Sequence, residues 1–426
     1  MVRKSQKITD DDFYSLRIGA VWQHFKSESF AFWMICAYLF LEYVRPQSIY
    51  PALDILPWTQ LTVIGAFLGC FTDKTVRWVS SPINILLIAF LFVILLSSYF
   101  AYFPEVSCRN LDKYYLWVVI YFLIINIVNS RRRFLIFICI FLIASFKLSL
   151  SLALTWARRG FSFTDWGLMG PPGFFQNSGE LAIQMLVFWP IAWAFTQFAK
   201  PNVSKFYYFL LLLMPITAIM VILGASSRGA QLALVCQLVV MNYRYVFNPK
   251  ILASILVVLA LIWVFLPDEQ KQRFETMGED GTSRQRLLYW ENGIKMIEEN
   301  PVLGVGYFNF APYFDRYYPE DLLLGDAQLP HNIFIQVGTD AGVLGLSLFF
   351  AIFLSAIFIS KKTSQCRSNN NVGYIGKLFN LSLLGFVVAG QFVTVTYYPF
   401  LWVHLSLVVA LGNIEVASKR KTYPKY

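Results

Sequence analysis

Residues 282–310 read TSRQRLLYWENGIKMIEENPVLGVGYFNF, and residues 329–346 read LPHNIFIQVGTDAGVLGL. The first segment predicts an amphipathic helix that a proline ends, and the second opens a long apolar helix. Arg284, Arg286 and His331 therefore stand beside a helix of the kind that crosses a bilayer. Because a charged or titratable group is costly next to lipid, these three residues are functional candidates.

The composition is that of a membrane protein. Hydrophobic residues make up 57% of the 426, and only 14% are charged, whereas a soluble domain carries about 25% charged residues. We predict an all-α polytopic membrane protein with about 12 transmembrane helices and one large periplasmic loop that contains amphipathic helices. The predicted spans are 29–45, 58–72, 82–101, 113–129, 134–156, 180–198, 205–224, 229–247, 250–267, 331–359, 373–396 and 398–414.

The basic residues predict the orientation of these spans. With the N-terminus in the cytoplasm, 22 Lys and Arg residues lie on the cytoplasmic side and 12 on the other, six of them in one long loop. Cytoplasmic loops of membrane proteins carry this excess, so the net charge of +10 reflects topology, and we expect no nucleic-acid partner. The predicted parts are a cytoplasmic N-terminal segment (1–28), spans one to nine (29–267), a periplasmic loop domain (268–330), spans ten to twelve (331–414) and a cytoplasmic tail (415–426).

The six cysteines form no CxxC pair and no Cys/His zinc spacing. Four of them fall inside apolar spans, where they are interpreted as small core residues. We expect neither a metal site nor a cofactor.

Helical spacing separates the two arginines of the amphipathic helix, for which Thr282 and Gln285 predict a capping box. Arg286 heads a stripe that faces the protein or membrane, and Arg284 heads the opposite, solvated stripe. The first stripe continues with Trp290, Gly293, Ile294 and Ile297. Arg286 is therefore the better functional candidate.

Arg228 lies in the segment SSRGA (226–230), at a very short outer junction between spans seven and eight. A helix N-terminus favours anions, and a guanidinium forms paired hydrogen bonds with phosphate. A phosphate-binding role and a topological or interface-anchoring role are equally favoured for this arginine by itself.

His331 opens span ten and shares a helix face with Gly338 and Gly342, whose GxxxG spacing allows another helix to approach closely. Asn332 and Gln336 lie on the adjacent polar stripe. A single histidine is often a structural hydrogen-bonding residue, but the position of His331 level with Arg228 and Arg286 favours function.

The polar loop before span six contains Gln176 and Asn177 in the run GFFQN (173–177), and these amides are candidates to line a polar site.

The three segments 226–230, 283–310 and 331–346 together resemble the O-antigen ligase and polymerase superfamily of bacterial envelope enzymes. The resemblance covers about a third of the chain. Asp340 stands where this family more often has Glu, and EYVRPQSIYP (42–51) is similar to a branch associated with exosortase systems.

The resemblance implies a metal-independent, inverting glycosyltransferase of the GT-C type in the bacterial inner membrane. It would transfer a glycan from undecaprenyl diphosphate to an acceptor hydroxyl on a glycolipid or glycan, with His331, Arg286 and Arg228 as catalytic residues. The substrate-binding candidates are Arg228, Arg286, Arg284, Asn332, Gln336, Trp290, Gln176 and Asn177. The partners would be the lipid-linked donor, the acceptor and membrane lipids.

The favoured activity is that of an O-antigen ligase with lipid A-core as the acceptor. The alternative within the superfamily is an O-antigen or exopolysaccharide polymerase, whose acceptor is another lipid-linked repeat unit. A solute transporter is less favoured, because the ionisable candidates cluster at the outer ends of spans and no repeated halves are visible.

Overall fold

The computed structural model describes residues 15–164, 166–246, 248, 249, 264, 271, 281–365 and 370–422, and no strand occurs among them. Short helical turns at Pro46–Ile49, Pro51–Leu53, Lys200–Asn202, Tyr243–Val246 and Pro319–Asp321 connect the longer helices. The longer helices are α1 (Ile18–Lys26), α2 (Phe30–Val44), α3 (Trp58–Cys70), α4 (Pro82–Tyr99), α5 (Pro104–Asn110), α6 (Asp112–Ile127), α7 (Arg131–Arg158), α8 (Ser178–Ala199), α9 (Lys205–Gly224), α10 (Arg228–Met241), α11 (Gly281–Glu299), α12 (Phe310–Tyr317), α13 (Ile333–Ser364), α14 (Asn370–Ala389) and α15 (Pro399–Thr422).

Helices occupy eleven of the twelve predicted spans, and the ninth, 250–267, lies outside the described residues except for residue 264. Within the described part, seven helices are long and apolar enough to cross a membrane: α3 with its preceding turn, α4, α7, α8, α9, α13 and α15. These helices support the prediction of an all-α polytopic membrane protein. The number of twelve spans and their orientation stay predictions.

One apolar core runs through the bundle. The helix α8 lies near its centre and packs against α9 and α14, while α13 packs against α4, α14 and α15. A smaller cluster forms where α11 and α12 cover the start of α13. It contains Tyr289, Met296, Val305, Phe310, Tyr313, Phe314 and Ile335. The amphipathic helices are therefore packed onto the end of the bundle.

The last two helices differ from the predicted spans. The helix α14 ends at Ala389, so residues 390–396, predicted as part of span eleven, leave the helix. They continue to Tyr398 as a non-helical connection, because Gly390 ends one helix and Pro399 begins the next. At the other end, α15 continues to Thr422, so most of the predicted cytoplasmic tail is helical.

Two glycines of α13 are in close contact with other elements, one with a loop and one with a helix. At Gly342 (φ 61°) the helix is broken, and the Val343 N–H donates to the carbonyl oxygen of Pro301 at 2.8 Å. A Cβ at Gly342 would overlap the backbone of Val302, whereas a Cβ at Gly338 would overlap Ile297 of α11. The predicted close approach of a helix therefore holds at Gly338, and at Gly342 the approaching element is the loop after α11.

The predicted capping box at the start of α11 is wrong. The helix already includes Gly281 and Thr282. The Gln285 side chain bonds to a different segment: its Nε2 donates to the Asp321 carbonyl oxygen at 3.0 Å, and its Oε1 accepts from the Leu323 N–H. The first turn of α11 is thereby attached to the loop that leads to His331.

Candidate functional site

His331 lies immediately before α13 in a left-handed backbone conformation (φ 52°), which non-glycine residues rarely adopt. Its backbone N–H donates to Thr394 Oγ1 at 2.8 Å, and its ring Nε2 lies 3.2 Å from Gln328 Oε1. The contacts with Thr394 and Gln328, together with the position of His331 at the start of α13, thus fix the direction of the imidazole.

The surroundings of His331 keep its ring neutral. Burial, together with the nearby positive charge of Arg286, lowers the pKa of His331 from 6.5 to about 4. Both effects disfavour the imidazolium. At neutral pH the ring therefore holds a free lone pair, and the lowered pKa makes it a weaker base than free imidazole.

Arg286 and Arg284 lie on different faces of α11, as helical spacing predicts. Arg284 is exposed and Arg286 is half-buried, with its charge close enough to affect the pKa of His331. One turn further along α11, the Trp290 indole N–H donates to the Pro330 carbonyl oxygen at 2.9 Å. The helix that carries Arg286 is thus attached to the residue before His331.

The predicted stripe of Arg286 holds only in part. A Cβ at Gly293 would lie 2.5 Å from Ile335 of α13, so this glycine does face the protein. Ile294 is 50% exposed and departs from the stripe, because the buried face of α11 is formed by Gln285, Tyr289, Asn292, Gly293 and Met296.

Arg228 is the first residue of α10 and is half-buried. The following residue, Gly229, packs so closely on the ring of Phe392 that a Cβ would lie 2.6 Å from a ring carbon. The same ring lies 6.1 Å from the ring of Trp290, centroid to centroid. A single aromatic side chain therefore connects the helix start of Arg228 with the helix of Arg286.

Two predicted substrate-binding residues follow His331 on α13. Asn332 caps the helix: its Oδ1 accepts from the backbone N–H groups of Phe334 and Ile335 at 2.9 and 3.2 Å. This leaves its Nδ2 amide group for a ligand. Gln336, one turn further, is 1% exposed, and its Oε1 has no hydrogen-bond partner in the part of the chain that the structure describes.

Gln176 and Asn177 are exposed at the start of α8. The Asn177 Oδ1 caps α8 by accepting from the Gly179 N–H at 2.8 Å. A Cβ at Gly179 would lie 2.8 Å from a Val393 methyl carbon and 3.7 Å from Ser227 Oγ. The start of α8 is thus adjacent to the residue that precedes Arg228.

The connection 390–398 contacts all of these elements, and sequence analysis missed it. Phe392 contacts the arginine-bearing helices, Val393 the start of α8, and Thr394 the backbone of His331. The available signal was a glycine followed, nine residues later, by a proline in a run rich in β-branched and aromatic residues. We name the end of the bundle around this connection the site face.

Asp340 has a structural position below this face. Its carboxylate is buried and accepts from the Phe308 N–H at 2.9 Å and from the Tyr397 hydroxyl at 3.0 Å. It therefore joins the loop after α11 to the connection 390–398. This contact explains its presence without a role in chemistry.

In the part of the chain that the structure describes, no three His, Cys, Asp or Glu side chains lie close enough together to hold a metal ion. Arg228 and Arg286 are the cations among the predicted catalytic residues, and guanidinium groups suit an anionic ligand such as a phosphate.

A comparison with family models matches the part of the chain that carries the candidate residues. Residues 209–350 match the family model described as O-antigen ligase, and Arg228, Arg286 and His331 all fall within this segment. The matched segment is about a third of the chain, and it supports a similarity to the O-antigen ligase and polymerase superfamily. Members are glycosyltransferase-like enzymes that act on lipid-linked glycans. A comparison with curated proteins found no match.

Proposed function

We propose that this protein transfers a glycan from undecaprenyl diphosphate to an acceptor hydroxyl, as an O-antigen ligase with lipid A-core as the acceptor. The observation that carries the proposal is the neutral, anchored imidazole of His331 beside the positive charge of Arg286. A base without charge and a cation next to it suit a reaction in which a proton is lost and an anion departs.

His331 is the proton acceptor in this proposal. Because the Gln328 Oε1 can only accept, the Nε2 that lies 3.2 Å from it carries the hydrogen. The lone pair is then on Nδ1. The acceptor hydroxyl gives its proton to Nδ1 while its oxygen attacks the anomeric carbon, and a positioned general base of this kind contributes about 10²–10⁴-fold to the rate.

Arg286 and Arg228 stabilise the leaving group. As the bond between the anomeric carbon and the diphosphate oxygen breaks, its electron pair stays with undecaprenyl diphosphate. In this proposal, guanidinium groups near the developing charge stabilise it electrostatically, and no metal is needed for this step. Attack from the side opposite to the diphosphate inverts the anomeric configuration in a single displacement.

The remaining candidates have supporting roles. Trp290 positions Arg286 through its bond to Pro330, and the buried Oε1 of Gln336 is available to a substrate hydroxyl. The Nδ2 of Asn332 and the exposed amides of Gln176 and Asn177 can bind sugar hydroxyls. Arg284 is exposed and contributes through long-range attraction of the anionic donor.

We place the site face on the periplasmic side of a bacterial inner membrane, with both termini cytoplasmic. The loop domain 268–330 carries Arg286, and the spans of 29–267 and 331–414 precede and follow it along the chain. The orientation is supported by the basic triplet Arg131–Arg133, which begins α7 at the end opposite to the site face, as the excess of cytoplasmic basic residues requires.

Proteoliposomes with undecaprenyl diphosphate-linked oligosaccharide test the proposal. With lipid A-core added, the wild-type protein forms glycosylated lipid A-core, and His331→Ala loses at least about 100-fold of the rate. Lys295→Gln is the matched control, because Lys295 is an exposed basic residue of α11 that pairs with Glu291. Full transfer by His331→Ala contradicts the assignment of the base, and lengthening of the lipid-linked chain without lipid A-core identifies a polymerase.

A further inference from the structure

The connection 390–398 places three sets of groups in order along its length. Phe392 lies against the helices of the two arginines, and Thr394 holds His331. At its far end, the ring of Tyr398 lies 5.0 Å from the ring of Phe174, and the Tyr398 hydroxyl donates to Glu180 Oε1 at 2.8 Å. Tyr398, Phe174 and Glu180 have no role in the reaction described above.

The group at Tyr398 combines two aromatic rings with charged and amide groups. We name it the rim cluster: Arg45, Phe174, Gln176, Asn177, Glu180 and Tyr398. All six side chains are half-buried or exposed, so a ligand can reach them from the site face.

Glu180 is fixed from two directions. The Tyr398 hydroxyl and the Asn177 backbone N–H both donate to its carboxylate. A carboxylate offers about four acceptor positions, so this one retains capacity for further donors while its direction is set.

Arg45 is fixed by the absence of a side chain at Gly173. A Cβ at Gly173 (φ 109°) would overlap the Arg45 guanidinium, which thus lies directly against the loop backbone. The same guanidinium carbon lies 5.9 Å from the ring centroid of Phe174, within the range of a cation–π contact. The cation and the ring therefore form one surface.

These groups suit a sugar. A pyranose presents apolar C–H faces that pack on aromatic rings, and hydroxyls that both donate and accept hydrogen bonds. Phe174 and Tyr398 offer rings, Glu180 accepts, Arg45 donates, and the amides of Gln176 and Asn177 do both.

We propose that the rim cluster binds the sugar of the acceptor next to its reacting hydroxyl. The inference rests on the proposed function, because it uses the positions assigned to the diphosphate and to the base. The diphosphate lies at the Phe392 end and the base at Thr394, so the acceptor extends away from the leaving group toward Tyr398. Tyr398 lies four positions after Thr394, a span of at most about 14 Å, which a short oligosaccharide covers.

Binding of oligosaccharide to catalytically inactive protein tests this subsite directly. In nanodiscs, His331→Ala protein is titrated with core oligosaccharide in one arm and with repeat-unit oligosaccharide in the other. We expect Phe174→Leu, added to this background, to weaken binding by about tenfold, which corresponds to about 1.4 kcal/mol of lost ring contact. The preferred probe identifies the acceptor.

Two further variants test the subsite without changing the Phe174 side chain, so that a packing defect at Phe174 cannot account for the result. Tyr398→Phe retains the ring but removes the hydroxyl that orients Glu180, and Gly173→Ala displaces the Arg45 guanidinium. Phe161→Leu is the matched control, because its ring belongs to the same loop but packs on Trp156 instead.

With active protein, the same variants should raise the acceptor KM by about tenfold and leave the donor KM and kcat within about twofold. Unchanged acceptor affinity in all three variants overturns the subsite, and so does an equal loss of donor and acceptor affinity. Failure of the proposed function looks different: the wild-type protein forms no product, or His331→Ala remains active.

Discussion

The backbone N–H of His331 donates a 2.8 Å hydrogen bond to the side-chain hydroxyl of Thr394, 63 residues further along the chain. This bond holds a left-handed turn that a histidine adopts at a cost of about 1–3 kcal/mol. The hydroxyl thus controls the direction of the imidazole that we propose as the base.

Replacement of Thr394 by Val should lower kcat by about tenfold, because an unsatisfied buried N–H costs about 1–3 kcal/mol and the ring loses its fixed direction. Thr394→Ser retains the oxygen and should recover most of the rate. The donor KM should change little in both variants. Steady-state transfer in proteoliposomes measures these effects, and equal rates for the Val and Ser variants would show that the hydroxyl has no positioning role.

The pKa of His331 should rise when Arg286 is replaced by Gln, because one of the two causes of its lowered pKa is removed. It should stay below 6.5, since burial is the larger cause. The rate of diethylpyrocarbonate modification against pH, followed by peptide mass spectrometry, reports this pKa. His24 serves as an internal control, and an unchanged titration of His331 would contradict the proximity of the two side chains.

The acid limb of kcat/KM should lie near pH 4, where the free enzyme protonates His331. The limb of kcat should lie at higher pH, because a bound diphosphate favours the imidazolium. Rates between pH 8 and pH 4 at low and saturating donor measure the two limbs. A kcat/KM limb at pH 6.5 would indicate an imidazole exposed to solvent.

At the opposite end of the bundle, Arg133 donates to Asp73 at 3.1 Å and to Glu28 at 2.7 Å. Burial favours a raised pKa for the Asp73 carboxyl, but hydrogen bonds from Ser29 and Thr75 and the charge of Arg133 lower it to about 2. The lowered pKa of Asp73 contributes stability to the folded protein. This contribution is fully present above the usual pKa of 3.8 and is lost as the pH falls through 2. Thermal unfolding in detergent should show this loss, and Asp73→Asn should be less stable above pH 4 and show a weaker dependence on pH below it.

The sequence was sufficient to predict the helices and the division of α11 into a solvent-exposed and a buried side, because both depend on the local spacing of apolar residues. Arg284 is exposed and Arg286 half-buried, as the 3.6-residue period requires. The meeting of Arg286 with His331 was a hypothesis from topology, and the charge effect between them supports it.

The connection 390–398 could not be predicted, because hydropathy does not distinguish an apolar helix from an apolar segment that has left the helix. Phe392 and Val393 pack against Gly229 and Gly179, and these contacts depend on the fold of distant segments. Similarly, the GxxxG spacing on α13 predicts close approach but does not say what approaches. Only the fold shows that a loop lies against Gly342.

The break at Gly342 allows a matched test of this loop contact. Gly342 and Gly325 both have a positive φ, 61° and 56°, but a Cβ at Gly342 would overlap the backbone of Val302, whereas nothing lies within 4 Å of a Cβ at Gly325. Alanine at Gly325 should therefore cost only the backbone strain, about 1–2 kcal/mol. Alanine at Gly342 should cost that strain and also displace the loop after α11, whose Phe308 N–H bonds to Asp340. We expect Gly342→Ala to lower both the midpoint of thermal unfolding and the transfer rate. The control variant Gly325→Ala should have a transfer rate close to that of the wild type. Equal effects of the two variants would mean that the loop does not depend on this contact.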